Sequence, residues 1–92
     1  MKYIEKGTWE SAVQNGELRE AIEELFEELR INCEIVDEKE PSKSKHIIRT
    51  LYYSVAWRRH QIMGYSPEKL QNILEELKLI RSYMKNEMRK IK

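Results

Sequence analysis

Few side chains in this sequence have the type and spacing for chemistry. The candidates for metal or catalytic work are two histidines (His46, His60), a single cysteine (Cys33) and a run of glutamates. His46 and His60 share a helical face, but fourteen residues separate them. At ~1.5 Å rise per residue that is about 21 Å, too far for one ion within one chain. The lone Cys33 offers no chelating pair. It falls near the C-terminal end of a predicted helix, where the dipole opposes a thiolate, and no His neighbours it in sequence. Cys33 therefore reads as a small buried filler. Glu20, Glu23, Glu24, Glu27 and Glu28 recur as a solvated helix face and contain no isolated carboxylate pair. There is no glycine-rich phosphate loop. The expectation is a protein that is not an enzyme and carries no metal or cofactor.

Binding is the chemistry that the residue types favour. The stretch from Ser44 to Met63 has two working faces at helical spacing. Ile48, Leu51, Tyr52, Val55, Ile62 and Met63 form a core stripe. The opposite side collects His46, Thr50, Tyr53, Trp57 and His60. A solvated face is normally Glu, Lys and Gln, so a row with Trp, Tyr and two His predicts a docking surface. Three readings stay open for Tyr53 and Trp57: a contact between subunits, stacking on a ligand base, or packing against the N-terminal segment around Trp9. Lys45, Arg49 and Arg58 flank these rings, and aromatic planes rimmed by cations suit a nucleotide. Arg59 falls by phase within the apolar stripe. Either it snorkels past the bundle end, or a carboxylate or anionic ligand holds it. The candidate ligand-binding set is Arg49, Tyr53, Trp57, Arg58, Arg59 and His60.

Helices must position these groups. Thr8 is a candidate N-cap for a short helix over residues 9–14, which Asn15-Gly16 ends or kinks. A first main helix follows over 17–32, with Leu18, Ala21, Ile22, Leu25, Phe26 and Leu29 as its stripe. Residues 37–43 read as a polar loop containing Pro41. Ile35-Val36 is left as a helix end or a short extended piece. Ser42 or Ser44 caps the second helix, over 44–63, and Gly64 is expected in the left-handed position that ends it. Ser66-Pro67-Glu68 is a restart signal of N-cap, first-position proline and acidic first turn. The third helix, over 67–90, carries Leu70, Ile73, Leu74, Leu77, Ile80, Met84, Met88 and Ile91 on one stripe. The fold expectation is all-α: a three-helix antiparallel bundle with a short N-terminal helix, one domain over 1–92, assembled as a homo-oligomer.

The bulk numbers fit that size. The sequence has 92 residues, 36% of them charged and 40% hydrophobic. No apolar run approaches ~18 residues, so no membrane span is expected. The first residues do not lead into an apolar signal region, and the single Cys fits a reducing compartment, so a cytoplasmic location is expected (host cytoplasm if viral). The net charge of +1 hides an asymmetry. Residues 1–40 hold five Lys/Arg and twelve Asp/Glu, and residues 41–92 hold twelve and four. Ion pairs between the first helix and the basic half would account for much of it. Cations left over would serve an anionic partner.

Leu18-Arg19-Glu20-Ala21, Asn32-Cys33, Pro41-Ser42 and the spacing of Leu51, Ser54, Trp57 and Ile62 carry a resemblance. Over residues 17–62 the chain resembles small phage proteins that bind cyclic-nucleotide signals of anti-phage defence, the anti-CBASS sponge family. A related helical hairpin occurs in Thoeris anti-defence proteins. The chain departs from that pattern in a longer loop before helix two, in Arg58-Arg59-His60 after Trp57, in the Gln14-Asn15-Gly16 lead and in the added third helix. The resemblance implies a homo-oligomer that traps a small nucleotide between subunits without turning it over. Two other readings remain: a protein–protein adaptor or inhibitor of a host protein, and a nucleic-acid binder acting through the basic C-terminal half.

Overall fold

The computed structural model describes residues 6–91, with side chains described from Gly16 to Ile91. Three helices make up the described chain: α1 (Lys6–Asp37), α2 (Lys43–Ala56) and α3 (Pro67–Met88). Two 3-10 turns, Trp57–His60 and Ile62–Gly64, join α2 to α3. The all-helical expectation is met among the described residues.

α1 corrects the reading of the N-terminal third. One helix of 32 residues runs through Asn15 and Gly16, where a break was expected. Gly16 has no positive φ. The physical reason is a comparison of costs. Asn and Gly in a helix interior cost about 1–2 kcal/mol together. A break would strand four N–H and four C=O groups on its two sides. The proposed Thr8 cap therefore falls inside a continuous helix, and the packing of Trp57 against Trp9 lies outside the described residues. At the other end α1 continues to Asp37, so Ile35-Val36 is helical. Val36 is buried and Ile35 is exposed.

The caps of α2 and α3 follow their sequence signals. The Ser42 hydroxyl accepts from the Lys45 backbone N–H at 3.1 Å, and that of Ser66 from Lys69 at 3.3 Å. Pro67 and Glu68 occupy the first turn of α3. The core is apolar throughout, with no buried polar or charged residue among those described. Ile22, Phe26, Leu29 and Val36 of α1 meet Ile48 and Val55 of α2 and Leu70, Leu77 and Met84 of α3. Cys33 is buried beside them, and that burial pushes its thiol up from the ordinary value, with Asp37 adding to the effect.

Ion pairs tie the rims. Asp37 meets Arg49 of α2, while Glu23 and Glu27 meet Arg59 of the turn that follows it. Glu28 meets Arg81 and Lys85 of α3. The acidic helix thus faces the basic half of its own chain.

The end of α2 holds the second correction. α-Helical winding stops at Ala56 and not at Met63. Residues 57–64 wind more tightly, at ~3 residues per turn, so side chains three apart eclipse. That change sorts them into rows. Arg59, Ile62 and Tyr65 turn inward: Ile62 is buried, and Tyr65 packs partly against the core. Trp57, His60 and Met63 turn outward, and Met63 is 75% exposed although the α-helical stripe placed it in the core. Gly64 has no positive φ, so the expected left-handed stop is absent. The chain is instead turned by backbone bonds from Gly64 N–H to Gln61 O and from Tyr65 N–H to Ile62 O.

Candidate functional site

The outward row and its flank toward α3 form the candidate site. Trp57 is 56% exposed, yet its ring is held. Its indole N–H donates to the Ser54 carbonyl at 3.0 Å. The Arg58 guanidinium lies over the ring, 5.5 Å from its centre, and pairs with Glu76 of α3. A large aromatic surface is therefore presented to solvent in a fixed orientation.

The same tight winding brings Arg58 and Gln61 to the α3 side. There a shallow groove of about 340 Å³ runs between Trp57, Arg58, Gln61, Tyr65, Lys69 and Glu76. Tyr65 forms a second aromatic wall, with the Lys69 ammonium 5.2 Å from its ring centre. Each aromatic ring thus carries one cation, the arrangement favoured by the ring quadrupole. Gln61, Tyr65, Lys69 and Glu76 are not among the site residues that the sequence nominates. The signal that could have found Gln61 is a period of three after Ala56, which sets it in one row with Arg58.

The remaining candidates disperse. Arg59 turns the other way, to α1, donating from Nε to Glu23 at 2.8 Å and from Nη1 to Glu27 at 3.3 Å. Of the two readings open for it, the carboxylate clamp is the one observed. Partial burial works against its charge, but Glu23 and Glu27 outweigh that and raise its pKa. Arg49 pairs with Asp37 at 3.4 Å. It lies eight residues from Trp57 along α2, about 12 Å at ~1.5 Å per residue. Tyr53 is exposed, one turn before Trp57, with its ring tilted against Tyr52 at 5.3 Å. His60 is exposed on the row of Trp57. The structure therefore joins Trp57 and Arg58 in one groove, sets Tyr53 and His60 on the adjoining outer face, and places Arg49 and Arg59 elsewhere.

Glu27 is the hub of the sealed flank. The Arg30 guanidinium beside it holds its carboxyl below the usual range; slight burial opposes this and Arg59 assists. Among the described residues no group of three or more His, Cys, Asp or Glu could hold a metal ion. No described helix is long and apolar enough to cross a membrane. No family model matches the chain, and no curated protein or solved structure matches it.

Proposed function

We propose that this chain is a non-enzymatic binding module that takes a nucleotide over the Trp57 ring. The base stacks on the exposed indole, and Arg58 and Lys69 supply positive charge for phosphate. The observation that carries this reading is the held but exposed Trp57, fixed by Ser54 and Arg58 at the mouth of a groove with a second ring-and-cation pair. Preorganised stacking surfaces lose little freedom on binding, which is where affinity is otherwise spent. Arg58 is shared with Glu76, so Lys69 is the better phosphate partner.

The resemblance to the anti-CBASS sponges gives the biological form of the proposal. The chain would be a small phage protein that sequesters a nucleotide immune signal. It would act as a homo-oligomer of antiparallel three-helix bundles, joined through the outer face of α2. The groove is open on one side, as a pocket completed by a second subunit would be. Docking on a general nucleic acid has less support, because Arg49, Arg59, Arg81 and Lys85 of the basic half already pair with α1.

A titration of cyclic mono-, di- and trinucleotides by calorimetry and thermal shift tests the proposal. A ligand present at ~100 times its Kd should stabilise the fold by about 2.7 kcal/mol. Binding should vanish in Trp57→Ala and proceed without turnover. Absence of any heat or shift across the panel at ~100 µM, where even a Kd of ~1 µM saturates the site, would overturn it.

A further inference from the structure

We infer that Glu76 sets which phosphate the groove accepts. By pairing with Arg58 it leaves one uncommitted cation, Lys69, and so selects a singly charged phosphodiester over a nucleotide that ends in a doubly charged phosphate. The inference rests on the nucleotide reading above. It adds to that reading a class of phosphate and the residue that selects it.

Two cations and one carboxylate line the groove: Arg58, Lys69 and Glu76. Arg58 donates from Nη1 to Glu76 Oε2, so its charge is already met inside the chain. The Lys69 ammonium faces the Tyr65 ring and pairs with no carboxylate among the described residues. One net positive charge is therefore left for a ligand. The volume of about 340 Å³ lies near the low end of the ~300–1,000 Å³ range of small-molecule pockets, which is room for one nucleotide unit. One nucleotide unit thus presents its phosphate to one cation.

A phosphodiester carries a single negative charge and matches that cation. A terminal phosphate carries nearly two at neutral pH, because the second pKa of a phosphate monoester is near ~6. Its second charge would lose water without a cation to receive it. The Arg58 guanidinium could receive it only by leaving Glu76, and the carboxylate would then stand unpaired beside an anion. Glu76 thus acts against the wrong ligand more than for the right one. The consequence for a sequestering module is that nucleoside mono- and triphosphates, which end in such groups, compete poorly for the groove.

Calorimetry on the full chain with matched cyclic and linear nucleotides tests this. The pairs are cyclic AMP against linear adenosine monophosphate, cyclic di-AMP against its linear form with a terminal phosphate, and their guanine counterparts. In whichever pair binds, the cyclic diester should bind more tightly. Glu76→Gln should narrow that ratio by roughly 3–5-fold, a modest factor because the side chains of the pair are 31% and 44% exposed. The ratio is the readout, since a merely loosened Arg58 would weaken both members of a pair alike. Adding Arg58→Gln to Glu76→Gln returns the groove to one net charge and should return the ratio to that of the wild type. Glu75→Gln removes the same charge from α3 outside the groove lining and should leave the ratio unchanged. A wild-type chain that binds the linear phosphate as tightly as the cyclic diester would overturn the inference and leave the nucleotide reading standing. So would a ratio that Glu76→Gln does not move, or that Glu75→Gln moves as far. Absence of binding in every pair would overturn the nucleotide reading and this inference with it.

Discussion

The two flanks of α2 are finished in opposite ways. On the flank toward α1, each arginine meets a carboxylate: Arg49 meets Asp37, and Arg59 is clamped by Glu23 and Glu27. On the outer flank, Tyr53, Trp57 and Met63 stand in solvent, and a groove opens beside them. Both flanks contain arginine, so composition does not separate them. Helical phase does: it sets Arg59 and Ile62 inward and Trp57 outward, and the tight winding after Ala56 adds the outward turn of Met63. The difference teaches that positive charge on this helix is mostly spent on holding α1, while the rings of Tyr53 and Trp57 stand in solvent.

The contrast can be broken at several points, taken here from the largest expected effect to the smallest. Ile62→Ala and Met63→Ala form the sharpest pair. Removing the buried Ile62 side chain should cost about 2–4 kcal/mol, whereas Met63→Ala should fall within ~0.5 kcal/mol of wild type. Urea denaturation measures both. Equal losses would mean that residues 57–64 wind as an ordinary α-helix, with Met63 in the core stripe.

Gly16 gives a change of opposite sign. Nothing lies within 4 Å of a Cβ built there, and the residue has no positive φ. Gly16→Ala should raise stability by about 1 kcal/mol, or roughly 4–8 °C in Tm for a chain of this size. A lower Tm would restore the break after Asn15.

Arg59→Ala opens the sealed flank. The guanidinium is partly exposed, at 31% of its side-chain surface, so screening discounts the pair and the expected loss is ~1 kcal/mol. Arg49→Ala should cost less, because that pair is longer and more exposed. A loss at Arg49 larger than at Arg59 would reverse the ranking of the two contacts.

Acid should loosen the same flank slightly. The folded pKa of Glu27 lies below its ordinary value of 4.5, held there first by Arg30. Glu87 is lowered in the same sense, chiefly by Lys90 and then Ser44. A depressed carboxylate contributes stability that is full above its unfolded pKa and is lost as pH falls through its folded value. Urea midpoints should therefore hold steady from neutrality to about pH 5 and decline below ~4.5. Glu27→Gln should flatten part of that slope. A midpoint unaffected by acid would remove Glu27 as the hub.

Much of the fold was legible because its signals are local. Ser42, Ser66, Pro67 and the seven-residue recurrence of Leu70, Leu77 and Met84 each act through neighbours within two turns. Gly16 misled because a helix breaker acts only when the break has caps to offer, and here none competes with continuity. The site was half legible. Trp57 and Tyr53 stand out by type, and both are exposed. Their separation from Arg59 was legible too, since α-helical phase already sets Trp57 outward and Arg59 inward; what was hidden was the outward turn of Met63, because 3-10 and α winding accept the same residues over one or two turns. Leu79 and Tyr83 lie off the apolar stripe of α3 and are exposed.

The most direct measurement is a paired calorimetric titration of the tightest-binding nucleotide into Trp57→Ala and Arg59→Ala. If the outer flank binds and the inner flank only holds α1, Trp57→Ala should show no heat and Arg59→Ala should bind as the wild type does. Binding that survives Trp57→Ala and disappears in a folded Arg59→Ala protein would contradict that division.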